Sequence, residues 1–327
     1  MARCWRPRGS NLRVAVLIVF SALATWSLLL TQHLLDVRIP VFVLGALVAS
    51  PGWVILALAA RNRGVPGWWL LSGVLWAIGP AIWLSIIGHG WLTELLIGPT
   101  RAAPPLGSFL AVWVAPVGEE TAKLVGILVV LGAARRAGAR RSIALGAAIG
   151  GFIGLWFAIG EVAHHMVALV SDAGYWDLDG TFVIDPMLVR LSLETELANR
   201  FFLFGLTNHA LYSALAGVAA VRMSKGTRLA GGLWFLAALA GHAAANGLGA
   251  PLGAALYASL IDVIQPVLAG DLGFVVAIGL ASAIAFVVVD GWAAVLLVRA
   301  LRRDPGPGTD GADGRQAPTS APARLPV

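Results

Sequence analysis

Inside long apolar stretches, this sequence sets side chains that can move protons or hold charge. GSFLAVWVAPVGEETAKLVGILVVLG carries Glu119, Glu120 and Lys123, and GGFIGLWFAIGEVAHHMVALV carries Glu161, His164 and His165. RFFLFGLTNHALYSALAG holds His209, LAGHAAANGLG holds His242 and Asn246, and Asp290 follows further on. A charge at a bilayer centre costs about 2.5–3.5 kcal/mol on insertion scales, so such residues are kept only for a reason. Lys123 stands at i+4 from Glu119 and i+3 from Glu120, and Glu before Lys at i+4 is the favourable helical order. The lysine can neutralise one carboxylate and leave the other free to accept a proton. Two adjacent carboxylates in a low dielectric cannot both stay ionised cheaply, a setting that suits a general acid or base. His242 and Asn246, again i and i+4, share a helix face from which an imidazole and an amide can donate to a developing oxyanion.

The elements that must position these residues are membrane helices. Of the 327 residues 58% are hydrophobic and only 12% charged, with mean hydropathy +0.83; a soluble domain carries about 25% charged residues. Roughly eight apolar runs, at about 13–31, 39–60, 67–88, 108–132, 143–170, 201–222, 229–249 and 273–300, are each long enough for a ~30 Å hydrocarbon core. The expected fold is an all-α polytopic transmembrane bundle of about eight helices. The net charge of +6 does not point to nucleic acid, because the basic residues sit at alternate ends of the runs. Arg3, Arg6, Arg8 and Arg13 precede the first, Arg61 and Arg63 follow the second, and Arg135, Arg136, Arg140 and Arg141 follow the fourth. Arg222, Lys225 and Arg228 follow the sixth, and Arg299, Arg302 and Arg303 the eighth. By the positive-inside rule both termini are expected in the cytoplasm of a multi-pass protein of a bacterial plasma membrane. The loop between the fifth and sixth runs is acidic, with Asp172, Asp177, Asp179, Asp185, Glu194 and Glu196.

With this topology and a rise of 1.5 Å per residue, Glu119 and Glu120 lie about 16–18 Å below the outer face. Glu161, His209 and His242 lie about 13, 12 and 9–10 Å down. Four helices thus place polar groups in one band. Residues 1–12 read as a basic leader, 13–303 as the helical domain and 304–327, rich in Pro, Gly and Ala, as a disordered tail. The first run resembles a signal peptide but lacks a clear cleavage site, and is read as a retained helix. The lone Cys4 can form no internal disulfide. Residues 182–200 read as an amphipathic helix on the outer surface, and 250–268 as a re-entrant or interfacial segment. Runs such as GAAIGGFIG point to close helix packing.

Taken together the motifs resemble the PrsW family of intramembrane glutamic proteases, relatives of the CAAX prenyl endopeptidases and bacteriocin-processing proteases. Glu119-Glu120-Thr121-Ala122-Lys123 matches E-E-x-x-K, and Phe157-Ala158-Ile159-Gly160-Glu161 matches F-x-x-x-E. His209 in NHALYSALAG and His242-Ala-Ala-Ala-Asn246 match two later histidine motifs. The resemblance covers roughly 108–250. It implies an endopeptidase that cleaves membrane-anchored proteins, regulatory single-pass proteins such as anti-sigma factors among them, with no catalytic metal and no cofactor. By the resemblance Glu119 or Glu120 activates water, and Glu161 shares the proton or positions the water. His209, or His242 with Asn246, holds the oxyanion. Phe157 and Lys123 support the site. Peptide hydrolysis needs these types: a base for water, a proton donor for the amine and donors for the oxyanion.

Two rivals remain in view. Intramembrane Glu, His and Lys also mark proton-coupled transporters and channels, which commonly show inverted repeats and broken helices. Glu161-x-x-His164 is half of a carboxylate di-metal motif, but the second half is absent, and so is any H-E-x-x-H zinc motif. His164 and His165 lie nearer the outer surface, where one is expected to face only the interface. Asp290, about 15 Å from the inner end of its helix, fits no motif.

Overall fold

The computed structural model describes residues 15–23, 35–98, 104–140, 142–173, 175–176, 182–183, 186–264, 284 and 286–304. The described chain is helical throughout, apart from a two-residue antiparallel pair, Tyr175–Trp176 with Phe182–Val183. In chain order the helices are α1 (15–23), α2 (Leu35–Val48), α3 (Ser50–Asn62), α4 (Gly67–Trp76), α5 (Ile82–Leu92) and α6 (Pro104–Arg136). There follow α7 (Ile143–Ala173), α8 (Pro186–Arg200), α9 (His209–Ser224), α10 (Arg228–Ile264) and α11 (Gly291–Arg302). Single π-turns at Ala77–Ala81 and Thr93–Ile97 continue α4 and α5, and a third at Phe286–Asp290 leads into α11.

Among the described residues, three helical stretches are long and apolar enough to cross a membrane: Gly67–Ile97, Ile143–Leu169 and Arg228–Gly247. A fourth follows if α2 and α3, bent by 58° at Ala49, count as one span. The bend is local: Pro51 opens α3 and cannot donate to the turn before it. α6 is long enough at 33 residues, about 50 Å of helix, but Glu119, Glu120 and Lys123 break its apolar run. The basic leader, residues 273–283 and 285 of the run 273–300, and the tail beyond Asp304 lie outside the described residues. Asp304 itself, grouped with the tail by composition, accepts from the backbone N–H of Ile143 at 2.6 Å and of Ala144 at 3.3 Å. It thereby caps the start of α7, where an anion is favoured. The amphipathic helix expected near 182–200 forms as α8. Of the segment expected to be re-entrant at 250–268, residues 250–264 continue α10 through Pro251 as helix, and the remainder is not among the described residues.

α7 and α9 make the centre. α7 is buried over nearly its whole apolar stretch and packs against α2, α3, α4, α6 and α9. Every residue of α9 from His209 to Val221 is buried. Two helices approach this closely only where side chains are missing. Gly146, Gly150 and Gly154, spaced at i+4, line the face of α7 that meets α9. A Cβ there would come to 2.5 Å of the Gly217 carbonyl oxygen, 2.0 Å of that of Ser213 and 2.1 Å of that of His209. The close packing expected for GAAIGGFIG is therefore what seats α9, and His209 with it, against α7.

The run 201–222 is not one helix. A 3-10 turn at Phe202–Gly205 and an irregular link precede α9, which starts only at His209. Leu203 (φ 48°), Gly205 (φ 74°) and Asn208 (φ 55°) adopt left-handed backbone. Such conformations cost about 1–3 kcal/mol in non-glycine residues and persist where surrounding contacts hold them.

Gly154→Ala is expected to lower the thermal midpoint of the purified protein, at a cost of about 1–3 kcal/mol from overpacking. Gly132→Ala, where nothing lies within 4 Å of the new methyl, is expected to leave it unchanged. Equal midpoints for the two variants would show that α7 and α9 do not depend on the glycine contact.

Candidate active site

Four helices bring their charges to one place. Glu119, Glu120 and Lys123 come from α6, Glu161 from α7, His209 from the first turn of α9, and His242 from α10. All six are buried. The common depth expected from the sequence is thus a common site. α6 is fixed against its neighbours just there. The Trp76 indole donates to the Ala122 carbonyl at 3.0 Å, and Gly126 leaves room for the same ring, which a Cβ would meet at 2.2 Å.

Lys123 is the hub. Its Nζ donates to Glu120 Oε1 at 2.8 Å and to Glu119 Oε2 at 3.4 Å, and lies 2.8 Å from His209 Nδ1. It also sits 4.0 Å above the centre of the Phe157 ring, a cation–π contact. The lysine therefore bridges both carboxylates rather than neutralising one, because i+3 and i+4 are both within reach of its stem.

The two glutamates differ. Glu120 has no exposure and is saturated: it accepts from Lys123, from Ser213 Oγ at 3.1 Å and from His242 Nδ1 at 3.0 Å. The Glu119 side chain keeps 11% exposure. Its Oε2 lies 3.6 Å from His209 Nδ1 and 3.8 Å from His242 Nε2.

The tautomers follow from the partners. A carboxylate only accepts and an ammonium only donates. His242 therefore donates Nδ1–H to Glu120 and turns a bare Nε2 toward Glu119. His209 accepts from Lys123 at Nδ1 and so carries its proton at Nε2, which faces Glu161 Oε2 at 3.2 Å; Arg200 Nη1, 2.9 Å from the same nitrogen, is a second donor and makes no bond to it. Each imidazole is thus held from behind by a carboxylate; His242 turns its Nε2 lone pair toward Glu119, while that of His209 is taken by Lys123. In this pattern the histidines can donate to an oxyanion only after taking up a proton. Asn246, one turn beyond His242, is exposed.

Arg200, at the end of α8, enters from the side. Its Nη1 donates to Glu161 Oε2 at 2.6 Å and lies 2.9 Å from His209 Nε2, and its Nε donates to Glu196 Oε2 at 2.6 Å. His165 lies 3.2 Å from Arg200 Nη2 and 3.4 Å from Glu196 Oε1. Burial would raise the Glu196 carboxyl, but its hydrogen bond with His165 and the charge of Arg200 outweigh this and hold it at about 2. Glu196 is therefore ionised across the physiological range, and α8 stays fastened to α7 through Arg200. His164 is half-buried beside His165, their rings 6.3 Å apart.

Arg200, Ser213, Tyr212 and Asp290 were not singled out for the site from sequence. Arg200 and Ser213 lie in surroundings with no distinguishing pattern. Asp290 did carry a signal, an acid in an apolar run, without a partner to read it against. Asp290 accepts from the Tyr212 hydroxyl, and the Tyr212 ring stacks on His242 with centroids 5.6 Å apart.

The donor set Glu119, His209 and His242 brings one carboxylate oxygen and two ring nitrogens within 4.8 Å of one another. One carboxylate and two imidazoles, each backed by a further carboxylate, suit a divalent metal such as zinc. Lys123 is the feature that competes, since its ammonium uses the His209 lone pair and one oxygen of Glu119.

A buried cluster of carboxylates, histidines and a lysine thus lies between apolar helices. Residues 65–278, more than half of the chain, match the family described as PrsW family intramembrane metalloprotease, and the chain belongs to that family. It is a membrane peptidase. No curated protein and no solved structure matches it.

Removing the hub leaves two carboxylates unpaired. Lys123→Met is expected to destabilise the protein by about 3–5 kcal/mol and to lower activity, read by the thermal midpoint and by cleavage in the same preparation. A midpoint and activity equal to wild type would mean that the ion pairs do not organise the site.

Proposed function

We propose that the chain is a multi-pass endopeptidase that cleaves membrane-anchored proteins within or beside the bilayer, with Glu119 as the residue that activates water. The observation that carries this is the convergence of Glu119, His209 and His242 on one partly accessible point, while Glu120 is spent on structure. A water bonded to both Glu119 Oε2 and His242 Nε2 bridges the 3.8 Å between them. Glu119 takes a proton from that water as its oxygen bonds to the scissile carbonyl carbon. The Lys123 ammonium, whose three N–H groups are already bonded, stabilises the oxyanion that forms by its charge and not by a direct hydrogen bond. When the C–N bond breaks, the proton returns to the amine from Glu119, directly or through His242 Nε2. Glu120 and Glu161 hold the two imidazoles in tautomer and orientation, a positioning role rather than a share in the water's proton. Regulatory single-pass proteins, anti-sigma factors among them, are the substrate class expected from the resemblance. Both termini in the cytoplasm and a site in the outer half of a bacterial plasma membrane complete the reading.

This glutamic reading is metal-independent, and the observation in its favour is Lys123, which already takes the His209 lone pair and one Glu119 oxygen that a metal would need. A second reading is favoured by the three converging donors and by the family description. In it Glu119, His209 and His242 would hold a divalent metal, which would supply an activated water and polarise the carbonyl. A proton-coupled transporter finds less support, since the family is one of peptidases.

The test uses purified protein in liposomes with a pool of transmembrane peptides, new amino termini being read by mass spectrometry. Glu119→Gln is expected to lower cleavage by about 10²–10⁴-fold with membrane insertion intact, and Glu120→Gln to lower the thermal midpoint as well. Wild-type cleavage by the double variant would remove the mechanism. Prolonged chelation, with metal content measured in parallel, is expected to leave the rate unchanged. Loss on chelation with recovery on adding zinc would establish the metal reading instead.

A further inference from the structure

We propose that Asp290 is a positioning residue that holds both histidines of the hydrolytic centre at once. The inference rests on the reading that His209 and His242 belong to that centre. Asp290 is buried, at the junction of the Phe286–Asp290 π-turn and α11. It lies beyond the stretch 65–278 that matches the family.

Its two oxygens serve two points at the start of α9. Oδ1 accepts from the Tyr212 hydroxyl, and the Tyr212 ring lies nearly parallel to that of His242, at 16°. The stack is possible because residue 241 is a glycine, where a Cβ would stand 2.7 Å from the Tyr212 ring. Oδ2 accepts from the backbone N–H of Asn208 at 3.3 Å. Asn208 holds the left-handed conformation from which α9 begins, and the next residue is His209. One carboxylate therefore fixes the ring that packs on His242 and the backbone that launches His209. The two imidazoles meet edge to face, 4.7 Å apart at 84°, so a shift of either is felt by the other.

Tyr212→Phe cuts the arm to His242. Asp290→Ala cuts both, and Asp290→Asn keeps an acceptor for Tyr212 while its amide cannot serve as a second acceptor for Asn208. The full chain in liposomes is assayed on a peptide spanning a site cleaved by wild type, with His242→Ala as reference. Asp290→Ala is expected to lower kcat roughly tenfold to a hundredfold, the scale of a small misplacement, with KM unchanged. Tyr212→Phe should lower kcat less, and adding it to Asp290→Ala should cost nothing further. Because the two residues share one hydrogen bond, their thermal midpoints are non-additive as well, and kcat at unchanged KM, measured where every variant is folded, is the readout that separates positioning from stability. Wild-type kcat in Asp290→Ala beside an inactive His242→Ala overturns the inference and leaves the proposed function standing. Wild-type activity in His242→Ala overturns the proposed function itself. If Asp290→Ala does not fold, Asp290→Asn and Tyr212→Phe carry the test: lowered kcat at unchanged KM supports the inference, and wild-type kcat in both overturns it.

Discussion

A lysine ammonium shut wholly inside a helical membrane protein must be met by anions, and much of this site follows from that need. Lys123 has no exposure, and an unpaired charge so placed is among the most costly features a fold can hold. Two glutamates on its own helix answer it, one at each helical spacing that reaches. Two negative charges against one positive then call for further donors, and Ser213 and His242 supply them to Glu120. The lysine also claims the lone pair of His209, whose other nitrogen leans on Glu161, and Glu161 in turn draws Arg200 in from α8. The network closes only with α6, α7, α8, α9 and α10 in place, so the chemistry and the packing of these helices are one constraint.

The second constraint is space. Charged groups from separate helices meet within hydrogen-bonding distance only if the backbones can come close. Gly146, Gly150 and Gly154 on α7 give that distance to α9, Gly126 gives it to Trp76 beside Lys123, and Gly241 gives it to Tyr212 beside His242. The late start of α9 belongs to the same economy of space. An uninterrupted helix from Phe201 would turn His209 by the helical period alone. Instead an irregular link with three left-handed residues sets its direction, and Asp290 takes up the backbone N–H of Asn208.

Much of this was legible in sequence because a charge in an apolar run is a loud signal. Glu119, Glu120, Lys123, Glu161, His209 and His242 stand out for that reason, and counting residues is what leads to the expectation that four helices carry them in one band. The order E-E-x-x-K, F-x-x-x-E and two histidines then points to the family to which the chain belongs. What stayed hidden has physical causes. The roles of Glu119 and Glu120 separate only when Ser213 and His242 are seen to saturate one of them, and both come from other helices. Arg200 sits in a polar segment where one more arginine carries no signal. The break before His209 depends on φ angles that Leu203 and Asn208 do not announce. Asn246 shares a helix face with His242 by spacing, yet a face that turns partly outward leaves it exposed.

The central claim is that Glu119, held beside two carboxylate-backed histidines, makes this protein a peptidase. A survey of labelled amino termini among membrane proteins tests it most directly, comparing cells that carry the wild-type protein with cells that carry Glu119→Gln at equal abundance. The account predicts a discrete set of new termini in or beside transmembrane segments that appears with wild type and is missing with the variant. Identical sets under several stress conditions would contradict it.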